Sequence, residues 1–189
     1  MAVVAQVSLL VNPHAGAGRA KTVSENVVAR LEDLGIETEV FTPLSPEESL
    51  DAALQVAAAS KSRLLVVGGD GLIHLAAAAL AGGTTVLGVV AAGTGNDMAR
   101  ALRLLDGSLE DQIDRALADP VPIDLVLGAS QPVVTSVICG FPTMVNERAN
   151  RMRFPKGTSR YTLATLLEAP LMQTADYRML LDDKTVNVK

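Results

Sequence analysis

Short apolar runs alternate with longer stretches of helical spacing through the first 127 residues of the chain. Val7 to Val11 reads as a strand, and Arg19 to Leu34 as a helix with Val23, Val27, Leu31 and Leu34 on one face and Gly35 closing its end. Thr38 to Phe41 reads as a second strand. Ser45-Pro46 marks the start of a helix whose apolar stripe is Leu50, Ala53, Leu54, Ala57 and Ala58. Leu64 to Val67 and Val86 to Val90 read as buried strands, with a helix from Ile73 to Ala81 between them. Helices over Met98–Leu102 and Leu109–Leu117 lead to a fifth strand, Val121–Leu127. A βαβ series of this kind predicts an α/β fold with a parallel sheet and helices on both faces.

After residue 128 the pattern changes. Pro132–Cys139 is strand-like, 146–160 is polar and basic, and Tyr161–Glu168 is helical. Tyr177–Leu181 and Thr185–Val188 flank a polar turn at Asp182-Asp183-Lys184 and read as a hairpin. A lone hairpin needs further strands for stability. The expected organisation is a nucleotide-type domain over 1–128 and the start of a β-rich second domain over 129–189, with the chain stopping inside it. Two copies pairing through unfinished β edges is the matching expectation for assembly.

The candidate chemistry sits where strands run into loops. Gly68-Gly69-Asp70-Gly71 follows the third strand, and Gly93-Thr94-Gly95-Asn96-Asp97 follows the fourth. Glycines let phosphate oxygens approach backbone N–H groups, and carboxylates beside them suit a divalent cation that offsets phosphate charge. The plainer alternative for Asp70 is a helix cap. Asn12-Pro13-His14-Ala15-Gly16-Ala17-Gly18 follows the first strand and matches neither a P-loop nor a dinucleotide fingerprint. All three loops fall at the carboxyl edge of the predicted sheet, where ligands bind in open α/β folds. Asp124 stands in an apolar run, where an unpaired carboxylate is costly to bury.

Composition narrows the classes. A net charge of −5 argues against a nucleic-acid binder. The single cysteine, Cys139, excludes an intrachain disulfide and fits a reducing compartment, so a cytoplasmic protein is expected. No signal peptide is read at the N-terminus. Residues 71–96 carry no Asp, Glu, Lys or Arg, yet Gly82-Gly83-Thr84-Thr85 breaks the stretch into helix, turn and strand. Against the negative whole, Arg148, Arg151, Arg153 and Lys156 form a local basic cluster suited to phosphate or an anionic membrane, with Met152 and Phe154 between them.

Asn12-Pro13 with Gly16, the Gly-Gly-Asp-Gly loop, the Gly-Thr-Gly-Asn-Asp loop with Ala99-Arg100, and Asp124 together resemble the diacylglycerol kinase catalytic family, which includes sphingosine and ceramide kinases. The resemblance runs from residue 6 to about 127. It continues through Gly140-Phe141 and 146–155, a run similar to soluble actinobacterial diacylglycerol kinases. It implies a Rossmann-like fold of the phosphofructokinase and NAD-kinase type, followed by a β-sandwich-like domain for the lipid acceptor. It implies ATP and Mg²⁺ as cofactors and transfer of the γ-phosphate to a lipid hydroxyl at a membrane surface. Asn12, Gly16, Thr42, Gly68, Gly69, Asp70, Gly71, Gly93, Thr94, Gly95 and Asn96 would then line the nucleotide, and Asp70, Asp97 and Asp124 the metal. The family's general base is expected beyond Lys189, so the chain itself is expected to bind nucleotide and turn over poorly.

Four positions depart from the family pattern. Leu72 replaces a threonine, His74-Leu75 replaces Asn-Glu, and Ala17 replaces a lysine for which Arg19 can substitute. Two other readings stand beside the lipid kinase. One is an NAD-kinase-like enzyme, which also carries Gly-Gly-Asp-Gly. The other is a non-catalytic nucleotide- or lipid-binding fragment.

Overall fold

The computed structural model describes residues 6–59, 61–127, 132–134, 136, 138–155, 157, 159–181 and 183–188. Internal contacts divide the chain into two compact units, Met1–Ser136 and Val137–Lys189.

The first unit is a parallel sheet between two helical layers. β1 (Gln6–Val11), β2 (Glu37–Phe41), β3 (Arg63–Gly68) and β4 (Val86–Ala91) lie in the order β2-β1-β3-β4, and every neighbouring pair is parallel. α1 (Arg19–Asp33) and α5 (Leu109–Leu117) cover one face, where Val27, Leu31 and Ile113 meet Val7, Leu9, Val11, Leu65 and Val67. α2 (Pro46–Ala58), α3 (Asp70–Leu80) and the short α4 (Asp97–Ala101) cover the other, where Val56, Ile73 and Met98 meet Leu10, Leu64, Val66 and Val89. Alternate side chains of one strand thus feed opposite cores, which is why β3 is an unbroken apolar run. Each buried Leu or Val contributes about 2 kcal/mol of transfer free energy.

Local signals set the helix ends. Ile36 N–H bonds the Leu31 carbonyl and Gly35 N–H bonds that of Glu32, both at 2.9 Å, with Gly35 at φ +68°. This pair stops α1 where the glycine allows a left-handed residue. The Ser45 hydroxyl accepts the Glu48 N–H at 3.1 Å at the start of α2. Ser108 and Asp111 form a reciprocal capping box on α5. Asp111 is held below the ordinary carboxyl range by the Ser108 N–H and then its hydroxyl, with Arg115 adding a smaller pull and desolvation opposing.

Three expectations change. Strand five is confined to β5 (Val126–Leu127), which pairs antiparallel with β6 (Pro132–Val133) in a separate ladder. Pro120 and Pro122 cannot donate to a sheet, and Val121 is 80% exposed in a coil. The described remainder of 134–139 is not strand. The α2 core face is Ser49, Ala53 and Val56, while Leu54 is half exposed.

The second unit contains α6 (Phe141–Arg151), α7 (Ser159–Glu168) and an antiparallel hairpin of β7 (Tyr177–Leu181) and β8 (Lys184–Val188). The first part of the polar, basic stretch, 146–151, is thus the second half of a helix. Its small core is Val145, Ala149 and Ala164 with Phe141, Met152 and Tyr161. Among the described residues no helix is long and apolar enough to cross a membrane.

Candidate active site

Parallel neighbours in a sheet end on the same side, so β1, β3 and β4 deliver their three loops side by side. The ladder continues past the strands: Asn12 N–H bonds the Val67 carbonyl at 3.1 Å, and Ala92 N–H bonds that of Gly68 at 2.8 Å. The first loop curls through positive φ at Gly16, Ala17 and Gly18. Asn12 stiffens its start by accepting the His14 N–H at 3.1 Å.

At Gly93 glycine is required for space and not for dihedral freedom. A Cβ on Gly93 would lie 2.5 Å from Gly69 Cα and 2.8 Å from Asn96 Oδ1. One on Gly16 would fall on the Ala92 carbonyl oxygen. The three loops therefore touch backbone to backbone. Gly71 is different, since nothing lies within 4 Å of an added Cβ there and its φ is not positive.

Asp70 opens α3, but its carboxylate serves the neighbouring loop. Oδ2 accepts the Asn96 N–H at 2.7 Å and Oδ1 accepts the Met98 N–H at 3.3 Å. Asn96 is 6% exposed and left-handed at φ +58°, and its Nδ2 donates to the Gly93 carbonyl at 3.0 Å. Its Oδ1 is buried without a hydrogen-bond partner. Asp97 is exposed and paired with Arg100 at 3.0 Å, while the other arm of Arg100 donates to the Gly95 carbonyl at 2.9 Å. Arg19 reaches from the start of α1 to the Gly93 carbonyl at 2.8 Å. Motif reading missed these roles of the two arginines. The spacing of Asp97 and Arg100 was a usable signal, whereas nothing in the order of residues links Arg19 to Gly93.

The expected site residues divide accordingly. Asn12, Gly16, Gly69, Gly93, Thr94, Gly95 and Asn96 lie on the three adjoining loops, Gly68 ends β3, Asp70 and Gly71 open α3, and Thr42 is exposed just past β2, beside β1. The space left by the missing Gly95 side chain is bordered by both acids. A Cβ there would be 2.8 Å from Asp70 Oδ2 and 3.9 Å from either oxygen of Asp97. Asp124 is exposed on the coil before β5. Among the described residues no group of three His, Cys, Asp or Glu is arranged to hold a metal ion. In the second unit Arg148 bonds the buried Glu168 carboxylate, and Arg151 makes a surface pair with Glu147 at 3.6 Å. Arg153 is exposed, and Lys156 lies outside the described residues.

A sequence model of the diacylglycerol kinase catalytic domain matches residues 6–127. The chain belongs to that family. It is 32% identical to the diacylglycerol kinase of Mycobacterium tuberculosis (strain CDC 1551 / Oshkosh) over 190 residues, covering 95% of this chain and 60% of that protein. The chain thus spans about 60% of the length of the curated relatives it matches. A crystal structure of a diacylglycerol kinase from Bacillus anthracis str. Sterne aligns with a TM-score of 0.61 at 22% identity, over 70% of this chain and 49% of that one. A second structure from that strain gives 0.58 at 23% identity, over 66% and 45%. At these identities the likeness concerns the fold, and it agrees with the parallel sheet described above.

Proposed function

We propose that this chain carries the nucleotide site of an ATP-dependent lipid kinase, which moves a γ-phosphate to the hydroxyl of diacylglycerol or a related lipid and yields a phosphatidic-acid-type product. The observation that carries the reading is the locked junction of three glycine loops with Asp70 and Asp97 bordering one space. Phosphoryl transfer relies on positioning and charge neutralisation more than on covalent participation, and a rigid cradle of backbone N–H groups supplies positioning. Asn12, Gly16, Thr42, Gly68, Gly69, Gly71, Gly93, Thr94, Gly95 and Asn96 are the nucleotide-lining set. Asp70 and Asp97 fit a hydrated Mg²⁺, which would neutralise phosphate charge when bound. Asp124 joins that set only if its coil approaches the loops.

The acceptor is a membrane lipid on this reading. Arg151, Arg153 and the 82%-exposed Phe154 offer it a cationic and apolar contact. Arg148 belongs to the internal pair with Glu168 instead.

The test is phosphate transfer from labelled ATP to diacylglycerol in mixed micelles, with NAD as competing acceptor, beside calorimetry of MgATP binding. Labelled lipid supports the full reading. Labelled NAD favours an NAD-kinase-like enzyme. Binding of MgATP without transfer leaves a nucleotide-binding chain, and absence of MgATP binding refutes the proposal. Sedimentation with phosphatidylglycerol vesicles but not phosphatidylcholine vesicles, lost in Arg153→Ser, tests the membrane contact.

A further inference from the structure

On the nucleotide reading of this site, we infer that Arg19 is a positioning residue that orients the Gly93–Thr94 peptide, and so the Thr94 N–H, for a phosphate oxygen. The Gly93 carbonyl receives two donors, Arg19 Nη2 at 2.8 Å and Asn96 Nδ2 at 3.0 Å. A trans peptide is planar, so its C=O and N–H point in opposite directions. With the Gly93 oxygen pinned toward Arg19 and Asn96, the Thr94 N–H faces the other way, at a residue that is exposed.

This peptide needs holding. It follows Gly93, whose missing side chain makes rotation about ψ on that side inexpensive. Asn96 anchors it from three residues away in the same loop, and Arg19 anchors it from the start of α1, 74 residues distant. The second anchor closes the first loop over the third, in agreement with Gly16 lying against the Ala92 carbonyl. The bond to Gly93 uses one of five guanidinium N–H groups. The same side chain therefore sets the peptide and keeps a full positive charge beside it. Lysine would keep the charge but carry it as a compact ammonium on a flexible stem, without the rigid planar group whose Nη2 meets the Gly93 carbonyl.

Three variants of the 189-residue chain test this: Arg19→Met, Arg19→Lys and, as a charge control two residues further along the helix, Lys21→Met. The readouts are hydrogen exchange at the Asn96 N–H and the heteronuclear NOE of Thr94, both without ligand, and MgATPγS affinity by calorimetry. Arg19→Met is expected to raise Asn96 exchange and the MgATPγS Kd each about tenfold and to lower the Thr94 NOE. Lys21→Met should leave all three within about twofold, the scale of a solvated charge. If Arg19→Met and Lys21→Met weaken affinity equally while exchange and NOE stay at wild-type values, the effect is charge alone and the inference is overturned. Should Arg19→Met fail to fold, Arg19→Lys decides. Raised exchange with the charge retained supports the clamp, and wild-type exchange refutes it. Failure of the wild-type chain to bind MgATPγS overturns the nucleotide reading, while the ligand-free measurements still decide whether Arg19 orders the loop.

Discussion

Replacing Gly93 by alanine asks whether the loops are held by contact rather than by dihedral permission. Gly93 is buried and its φ is not positive, so alanine is conformationally acceptable there. The obstacle is distance: the new methyl would sit 2.5 Å from Gly69 Cα, where carbon atoms ordinarily rest about 3.5–4.0 Å apart. The third and fourth strand ends must therefore part by about 1 Å. That displacement stretches the 2.8 Å bond from Ala92 N–H to the Gly68 carbonyl beyond hydrogen-bonding range, at about 1 kcal/mol. Overpacking strain adds about 1–3 kcal/mol, for a total destabilisation of about 2–4 kcal/mol. Gly71→Ala is the internal control, since its Cβ meets open space within α3. A helical glycine replaced by alanine should gain about 0.5–1 kcal/mol. Urea titration of both variants, followed by circular dichroism, measures the difference. Equal midpoint shifts, or a stable Gly93→Ala, would show that the loops do not meet as described.

Asp70→Asn should destabilise the chain by about 2 kcal/mol, because one of two N–H groups now bonded to the carboxylate would face an NH₂; denaturation midpoints check it. Arg63→Met should cost about 2 kcal/mol and loosen the end of α5, because the buried guanidinium donates to the carbonyls of Ala116 and, at 2.9 Å, Ala118. Exchange at the 116–118 amides reads that loosening, and an unchanged rate would refute it. The depressed carboxyl of Asp111 contributes stability that is fully present above its unfolded value of about 3.9 and is lost as pH falls through the lower folded value. The gap in stability between wild type and Asp111→Ala should accordingly be constant near neutral pH and close below about pH 4, as thermal melts across that range would show.

The sheet was legible because its signals are local. Four apolar residues from Leu64 to Val67 lie between helix patterns, and Ser45-Pro46 and Gly35 mark helix ends by conformational preference alone. Errors arose where local pattern and tertiary setting disagree. Val121 to Leu127 alternates like a strand, but prolines at 120 and 122 remove the donors a ladder needs. On α2, alanines on both sides make two faces look alike, and packing against β1 and α3 selects Ser49, Ala53 and Val56. On α6, the polar outer surface hid a helix that buries only Val145 and Ala149. At the site, residue types were legible but partnerships were not. Which carbonyl Arg19 reaches, and which loop Asp70 ties down, depends on strand order.

Asp70 had two competing readings, helix cap and metal ligand, and the structure shows a cap of an unexpected kind while leaving the carboxylate oxygens room for the proposed cation. A carboxylate offers about four lone-pair positions. Two are taken by the Asn96 and Met98 N–H groups, and Oδ2 still borders the space beside Gly95 shared with Asp97. The cap is made to α4 instead of to the helix that Asp70 begins. One side chain therefore fixes the turn that carries Thr94 and borders the space beside Gly95, where the proposed reading puts a cation. On that reading a cation held there would stand in a set relation to the loop N–H groups, and charge neutralisation and phosphate positioning would share a single anchor. Removing the carboxylate should then impair both together. Displacing it by one methylene, as in Asp70→Glu, should spare the charge and still break the coupling.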